Sequence, residues 1–100
     1  MLSRERYYKT PSAGDVSWNT ISDFRGVLEN IVINPSTTTT TFDFKITADD
    51  GTIVYHKKGR KGNWVDDSKI GMYGIYTLDI ENASTDSYPF SITLMWENEI

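Results

Sequence analysis

The stretch GIYTLDIENASTDSYPFSITLMW, residues 74–96, decides the fold class. Tyr76, Leu78 and Ile80 alternate with Thr77, Asp79 and Glu81, and Phe90, Ile92, Leu94 and Trp96 alternate with Ser91, Thr93 and Met95. That is the period of two expected of strands with one face wet and one face dry. Asn82 to Ser87 is a polar run between them, so the stretch predicts an antiparallel hairpin, or two neighbouring strands joined by a longer loop. It carries no chemistry of its own.

Upstream, Gly26 to Asn34 reads as a strand that ends at Pro35, which lacks a backbone donor. Val27, Ile31 and Ile33 share one parity, and Leu28 and Val32 share the other. This mixed pattern predicts an interior strand, covered on both faces or shifted midway by a bulge. Ser36 to Thr41 holds five consecutive threonines, whose stiff side chains favour an extended connector. Phe42, Phe44 and Ile46 then alternate with Asp43, Lys45 and Thr47, and Asp49-Asp50-Gly51 supplies a turn without any need for a metal. Thr52 to Lys58 returns as the partner strand, with Ile53 and Tyr55 on one parity and Val54 and His56 on the other. Val65 to Met72 is polar and turn-rich. Asn82-Ala83-Ser84 spells a glycosylation acceptor, which is read here as a turn-forming asparagine.

Residues 1–25 read as an extended N-terminal arm or first strand, residues 26–97 as the β-sandwich domain and residues 98–100 as a C-terminal tail. Within the arm, an extended path that packs Trp18 against the sandwich fits better than a short helix over Ser17 to Phe24. The expected fold is therefore all-β: a single antiparallel β-sandwich, jelly-roll or Ig-like, of about six to eight strands.

The chain has 100 residues, 38% of them hydrophobic and 13% aromatic, enough for one domain and one core. With 10 basic and 14 acidic residues the net charge is -4, so nonspecific binding to nucleic acid over the whole surface is not expected. The absence of cysteine removes disulfides, thiolate metal sites and cysteine nucleophiles. Met1 to Tyr8 carry charges where a secretory leader would be apolar, and no uncharged apolar run approaches the ~18 residues of a membrane span.

His56 is the sole histidine and has no orienting carboxylate beside it in sequence, so neither a catalytic base nor a zinc site is expected. Asp49/Asp50 and Asp66/Asp67 are adjacent in sequence and would point to opposite faces of a strand, a poor arrangement for paired acid–base work. The chain reads as noncatalytic, with no cofactor. Its one concentration of charge is Lys57, Lys58, Arg60 and Lys61, framed by glycines and followed by Trp64. This segment reads either as a grip on phosphates or on an acidic protein surface, or as a solvated loop whose cations discourage edge pairing. Tyr7, Tyr8 and Trp18 are the candidate interaction anchors of the arm.

The order of these features resembles small β-sandwich proteins of tailed-phage virions. It is carried by Ile31-Val32-Ile33-Asn34-Pro35, the threonine-rich lead into Phe42-Asp43-Phe44-Lys45-Ile46, Asp49-Asp50-Gly51, Ile53-Val54-Tyr55, and Gly74, Tyr76, Leu78, Ile80, Asn82. The closing segment is also similar to GOLD and bacterial pre-peptidase C-terminal β-sandwich domains. The resemblance covers roughly residues 26–96 and implies an architecture and a habit of binding other proteins, with no functional residue carried over. It implies a capsid decoration (cement) protein or a neck or tail accessory, assembled in the host cytoplasm into a virion. Such a subunit would bind repeated copies of other virion structural proteins in a symmetric assembly, without a membrane. The alternative expectation is a carbohydrate- or ligand-binding module with Trp64, Tyr73 and His56 at one loop end.

Overall fold

The computed structural model describes residues 2–20, 23–85 and 88–98. Met1, Ile21, Ser22, the end of the polar run at Asp86 and Ser87, and the last two residues of the expected tail, Glu99 and Ile100, lie outside the described residues. The described chain forms nine strands: β1 (Leu2–Lys9), β2 (Val16–Asn19), β3 (Phe24–Asn34), β4 (Thr41–Ala48), β5 (Ile53–Lys61), β6 (Trp64–Asp66), β7 (Ile70–Gly74), β8 (Tyr76–Glu81) and β9 (Phe90–Asn98). They build two antiparallel sheets. One runs β1-β9-β3, with β6 and β7 both lying along the far side of β3, and the other runs β2-β8-β4-β5.

The sheets pack face to face over a single core. Phe24, Leu28, Ile31, Ile33, Phe90, Ile92 and Leu94 from the first sheet meet Phe42, Phe44, Ile46, Leu78 and Ile80 from the second, all essentially without solvent contact. Edge-to-face ring pairs bridge the layers at Phe42 and Phe90, 5.3 Å apart, and at Phe24 and Tyr76, 6.1 Å apart. Full burial of each such side chain contributes roughly 1.5–3 kcal/mol, so the interior carries the stability of a chain without disulfides.

β8 and β9 alternate as their sequence predicts, but they do not pair. β8 lies between β2 and β4, while β9 lies between β1 and β3 in the opposite sheet. The chain therefore passes from one layer to the other between β8 and β9, and the expected hairpin or neighbouring pair is corrected to a crossover. Alternation reports which face of a strand is dry. It is blind to whether the neighbour across that dry face or the neighbour beside the strand comes next in sequence.

β3 has the predicted interior position, between β9 and the β6–β7 strip. A register shift between Leu28 and Asn30 leaves Glu29 as the extra residue, and buried positions move from the parity of Phe24 and Leu28 to that of Ile31 and Ile33. At its start β3 runs so close to the end of β9 that a Cβ on Gly26 would fall 1.9 Å from the Glu97 carbonyl oxygen.

Other expectations change. Nine strands replace about six to eight, partly because Val65 to Met72, read as a turn-rich connector, instead supplies parts of β6 and β7. The threonine run does not extend. Ser36 takes φ 68°, and the Thr40 amide donates to the Thr37 hydroxyl at 3.1 Å, so local side-chain bonding curls the connector before β4 begins. The Asp49–Gly51 turn forms as predicted, with the Thr52 amide donating to Asp50 Oδ1 at 2.9 Å. Beyond it a second register shift bulges Val54, which sends Ile53 outward while Tyr55 stays buried. Residues 1–25 contribute two strands to the sandwich: β1 pairs along all of its length with β9, and β2 pairs with β8.

Candidate functional site: a cation-lined edge and an apolar outer face

The basic segment is a strand, not a loop. Lys57, Lys58, Arg60 and Lys61 all belong to β5, the edge of the second sheet, which pairs only with β4. Phe42 stands opposite Arg60 and Phe44 opposite Lys57, so Lys58 and Gly59 share Asp43 as a partner position. Gly59 takes φ 67°, a left-handed conformation that suits glycine, and its amide donates to Asp43 Oδ1 at 2.9 Å. The Asn82 amide, the Gly59 amide and the nearby Lys58 charge hold the Asp43 carboxyl below the usual carboxylate range.

The bulge sorts the cations. Lys57 and Arg60 turn toward the side of the sandwich where β5 and β6 face each other, with Lys57 5.7 Å from the centre of the Tyr55 ring and Arg60 5.8 Å from that of Trp64. The two rings lie 6.2 Å apart at 33°, giving a ladder of Lys57, Tyr55, Trp64 and Arg60 along the seam. The Tyr55 hydroxyl donates to the Asp66 carboxylate, which also accepts from Ser68 Oγ at 2.7 Å. Burial, followed by the bond to Asp66, pushes the Tyr55 phenol well above its ordinary range, while the Tyr55 and Ser68 bonds lower the Asp66 carboxyl. Both Nε and Nη2 of Arg60 donate to the Lys58 carbonyl at 3.1 Å, covering a main-chain acceptor. Bulged, cationic and partly capped, β5 has the attributes of a protected edge.

The sequence-predicted residues thus divide. Lys57, Arg60 and Trp64 come together with Tyr55, and the aromatic faces they share are already occupied by the protein's own cations. Lys58 and Lys61 are exposed on the same strand. Tyr7 is buried, at 4% exposure, and packs into the core, whereas Tyr8 points out at 64%. Trp18 is half-buried against the core from β2, and its Nε1 has no hydrogen-bond partner among the described residues. Trp64, Tyr73 and His56 do not converge. Trp64 lies opposite buried Ile33 in the seam, Tyr73 alternates with buried Met72 and faces out of the first sheet, and His56 stands opposite Lys45 on the outside of the second.

The two outer faces differ in kind. That of the second sheet is mainly polar, carrying Ser17, Asp43, Lys45, Thr77, Asp79 and Glu81, with Lys45 Nζ 3.4 Å from Glu81 and exposed Ile53 opposite Thr47 at the β5 edge. That of the first sheet exposes Leu2 (54%), Val27 (38%), Val65 (60%) and Tyr73 (64%) around half-buried Val32 and Met95. Cross-strand rows order it: Leu2, Glu97, Val27 and Gly71; Arg4, Met95 and Asn30; Arg6, Thr93, Val32 and Val65. The Lys69–Glu29 ion pair, at 2.5 Å, stands between two shallow hollows. One, about 370 Å³, is walled by Val27 and Tyr73, and the other, about 450 Å³, by Leu2, Asn30 and Asp67. The only sequence signal for this face is the apolar residues of both parities in Gly26 to Asn34, which leave Val27 and Val32 on the side away from the core.

Among the described residues no three His, Cys, Asp or Glu side chains gather to hold a metal ion. The chain matches no protein-family model and no curated protein. Fold and surface together define an all-β protein of two packed antiparallel sheets, one with a mainly polar outside and the other with a cluster of exposed apolar side chains on its outside.

Proposed function

We propose that this chain is a noncatalytic structural protein of a phage particle, a capsid decoration or head–tail accessory subunit that docks on neighbouring virion proteins. The observation that carries the reading is the unequal pair of outer faces. A sheet face that gathers exposed Leu2, Val27, Val65 and Tyr73, while the strands of its counterpart expose Ile53 at the β5 edge, marks an interaction surface. On this reading docking runs through that face, flanked by Tyr8 and the free edge of β1.

The strand order adds support. With β6 and β7 taken as one interrupted strand beside β3, the orders β1-β9-β3-β6/β7 and β2-β8-β4-β5 follow the two sheets of an eight-stranded jelly roll. That architecture recurs in viral capsid domains and also in lectins, so the argument for function rests on the surface. A carbohydrate module at Trp64, Tyr73 and His56 has less support, because those side chains occupy three separate surfaces. Repetition on a lattice would turn modest contacts at each copy into firm attachment through multivalency.

The test is mass spectrometry of density-purified particles from cells producing wild-type chain or Val65→Lys. The chain should copurify with particles, and the variant, still folded by circular dichroism, should be depleted. Absence of the wild-type chain from particles overturns the reading.

A further inference from the structure

We infer that the outer face of the first sheet packs against the same face of a second copy of this chain, about a two-fold axis parallel to the strands. The inference rests on the reading of that face as a docking surface and names its partner. The reason is the way charge is distributed across the face. Arg4 and Arg6 lie on β1, at one side. Asp67 lies at the other side, just past β6, held by the side-chain amide of Asn30. Asn30 stands opposite Met95 and Met95 opposite Arg4, so one row runs from a cation, through uncharged Met95 and Asn30, to an anion.

A two-fold axis along the strands reverses that row without shifting it lengthwise. Arg4 of each copy then comes over Asp67 of the other and Met95 over Asn30, while in the neighbouring rows Val32 comes over Thr93 and Val27 over Glu97. The row beside it places Val65 of one copy over the aliphatic stem of Arg6 of the other. An isologous interface requires this kind of self-complementarity, and aligned packing of two sheets at about 10 Å supplies the geometry. The outer face of the second sheet has no such row, since Lys45 lies between Asp79 and Glu81 in its middle. Four strands ~4.8 Å apart and about eight residues long at ~3.3 Å each present a patch of roughly 500 Å². That is near the lower bound for a specific interface, so the pairing should depend on concentration.

Sedimentation velocity on the full chain over a wide concentration range tests this. Wild type should move from monomer to dimer. Arg4→Asp and Asp67→Arg, each checked for fold by circular dichroism, should each raise the dimer dissociation constant about tenfold or more. The double variant, which re-forms the pair with its signs exchanged, should recover most of that loss. A monomer at every concentration overturns the inference, as does a dimer indifferent to the single variants or not rescued by the double. A monomeric wild type that still enters particles and is lost from them as Val65→Lys overturns the two-fold pairing while leaving the docking function intact. A rescued dimer absent from particles upholds the pairing and removes the phage role.

Discussion

The Tyr55 hydroxyl donates to the Asp66 carboxylate across the seam between the two sheets. β5 belongs to one sheet and β6 to the other, so this bond and the tilted contact of Tyr55 with Trp64 close the side of the sandwich where these two strands do not pair. Tyr55→Phe should lower stability by about 1 kcal/mol, measured by urea unfolding at neutral pH.

The same pair sets two limbs of the pH profile. The Asp66 carboxyl is held lower in the fold than in the unfolded chain, so its contribution is present above the unfolded value, about pH 4, and is lost as pH falls through the lower folded value. The Tyr55 phenol is held higher, so its contribution is present below the unfolded value, about pH 10, and is lost as pH rises through the higher folded value. Asp66→Asn should flatten the acid limb of thermal stability and Tyr55→Phe the alkaline limb. Unchanged limbs in both variants would count against the bond.

Deleting residues 1–9 should damage the fold, not release an intact domain. β1 supplies buried Tyr7 and pairs along β9 from Leu2 to Lys9. Tyr7→Ala alone should cost about 3 kcal/mol through lost burial and the cavity left behind, read from the chemical unfolding midpoint. A truncated chain with wild-type stability would contradict the pairing.

Gly26→Ala is the sharpest steric test. Its Cβ would fall 1.9 Å from the Glu97 carbonyl oxygen, so β3 or the end of β9 has to move. The expected loss is about 2 kcal/mol or more, with amide exchange quickening first at the β3–β9 end near Asn98.

Replacing Lys57, Lys58 and Lys61 together with threonine should leave the unfolding midpoint nearly unchanged yet speed aggregation on mild heating, followed by light scattering. The edge of β5 would keep its bulges but lose most of its charge. Unaltered aggregation would show that the bulges and the Arg60 cap protect the edge unaided.

The sequence by itself determined where β3, β4, β8 and β9 lie and, for β4, β8 and β9, which of their side chains are dry. Tyr76, Leu78, Ile80, Phe90, Ile92, Leu94 and Trp96 are buried as alternation requires, because exclusion of water acts on each residue locally, and of the two readings that the mixed parity of Val27 to Ile33 left open the structure shows the bulge. Tertiary structure alone decided which strand neighbours which. β8 and β9 are close in sequence and lie in opposite layers, because main-chain hydrogen bonds are the same for every residue and the choice of neighbour depends on how all nine strands share one core. The surfaces follow from that choice. Trp64 and Lys57 form a seam and Tyr7 a core residue, while Leu2, Val27, Val65 and Tyr73 share a face only because β1, β3, β6 and β7, distant in sequence, lie in one sheet.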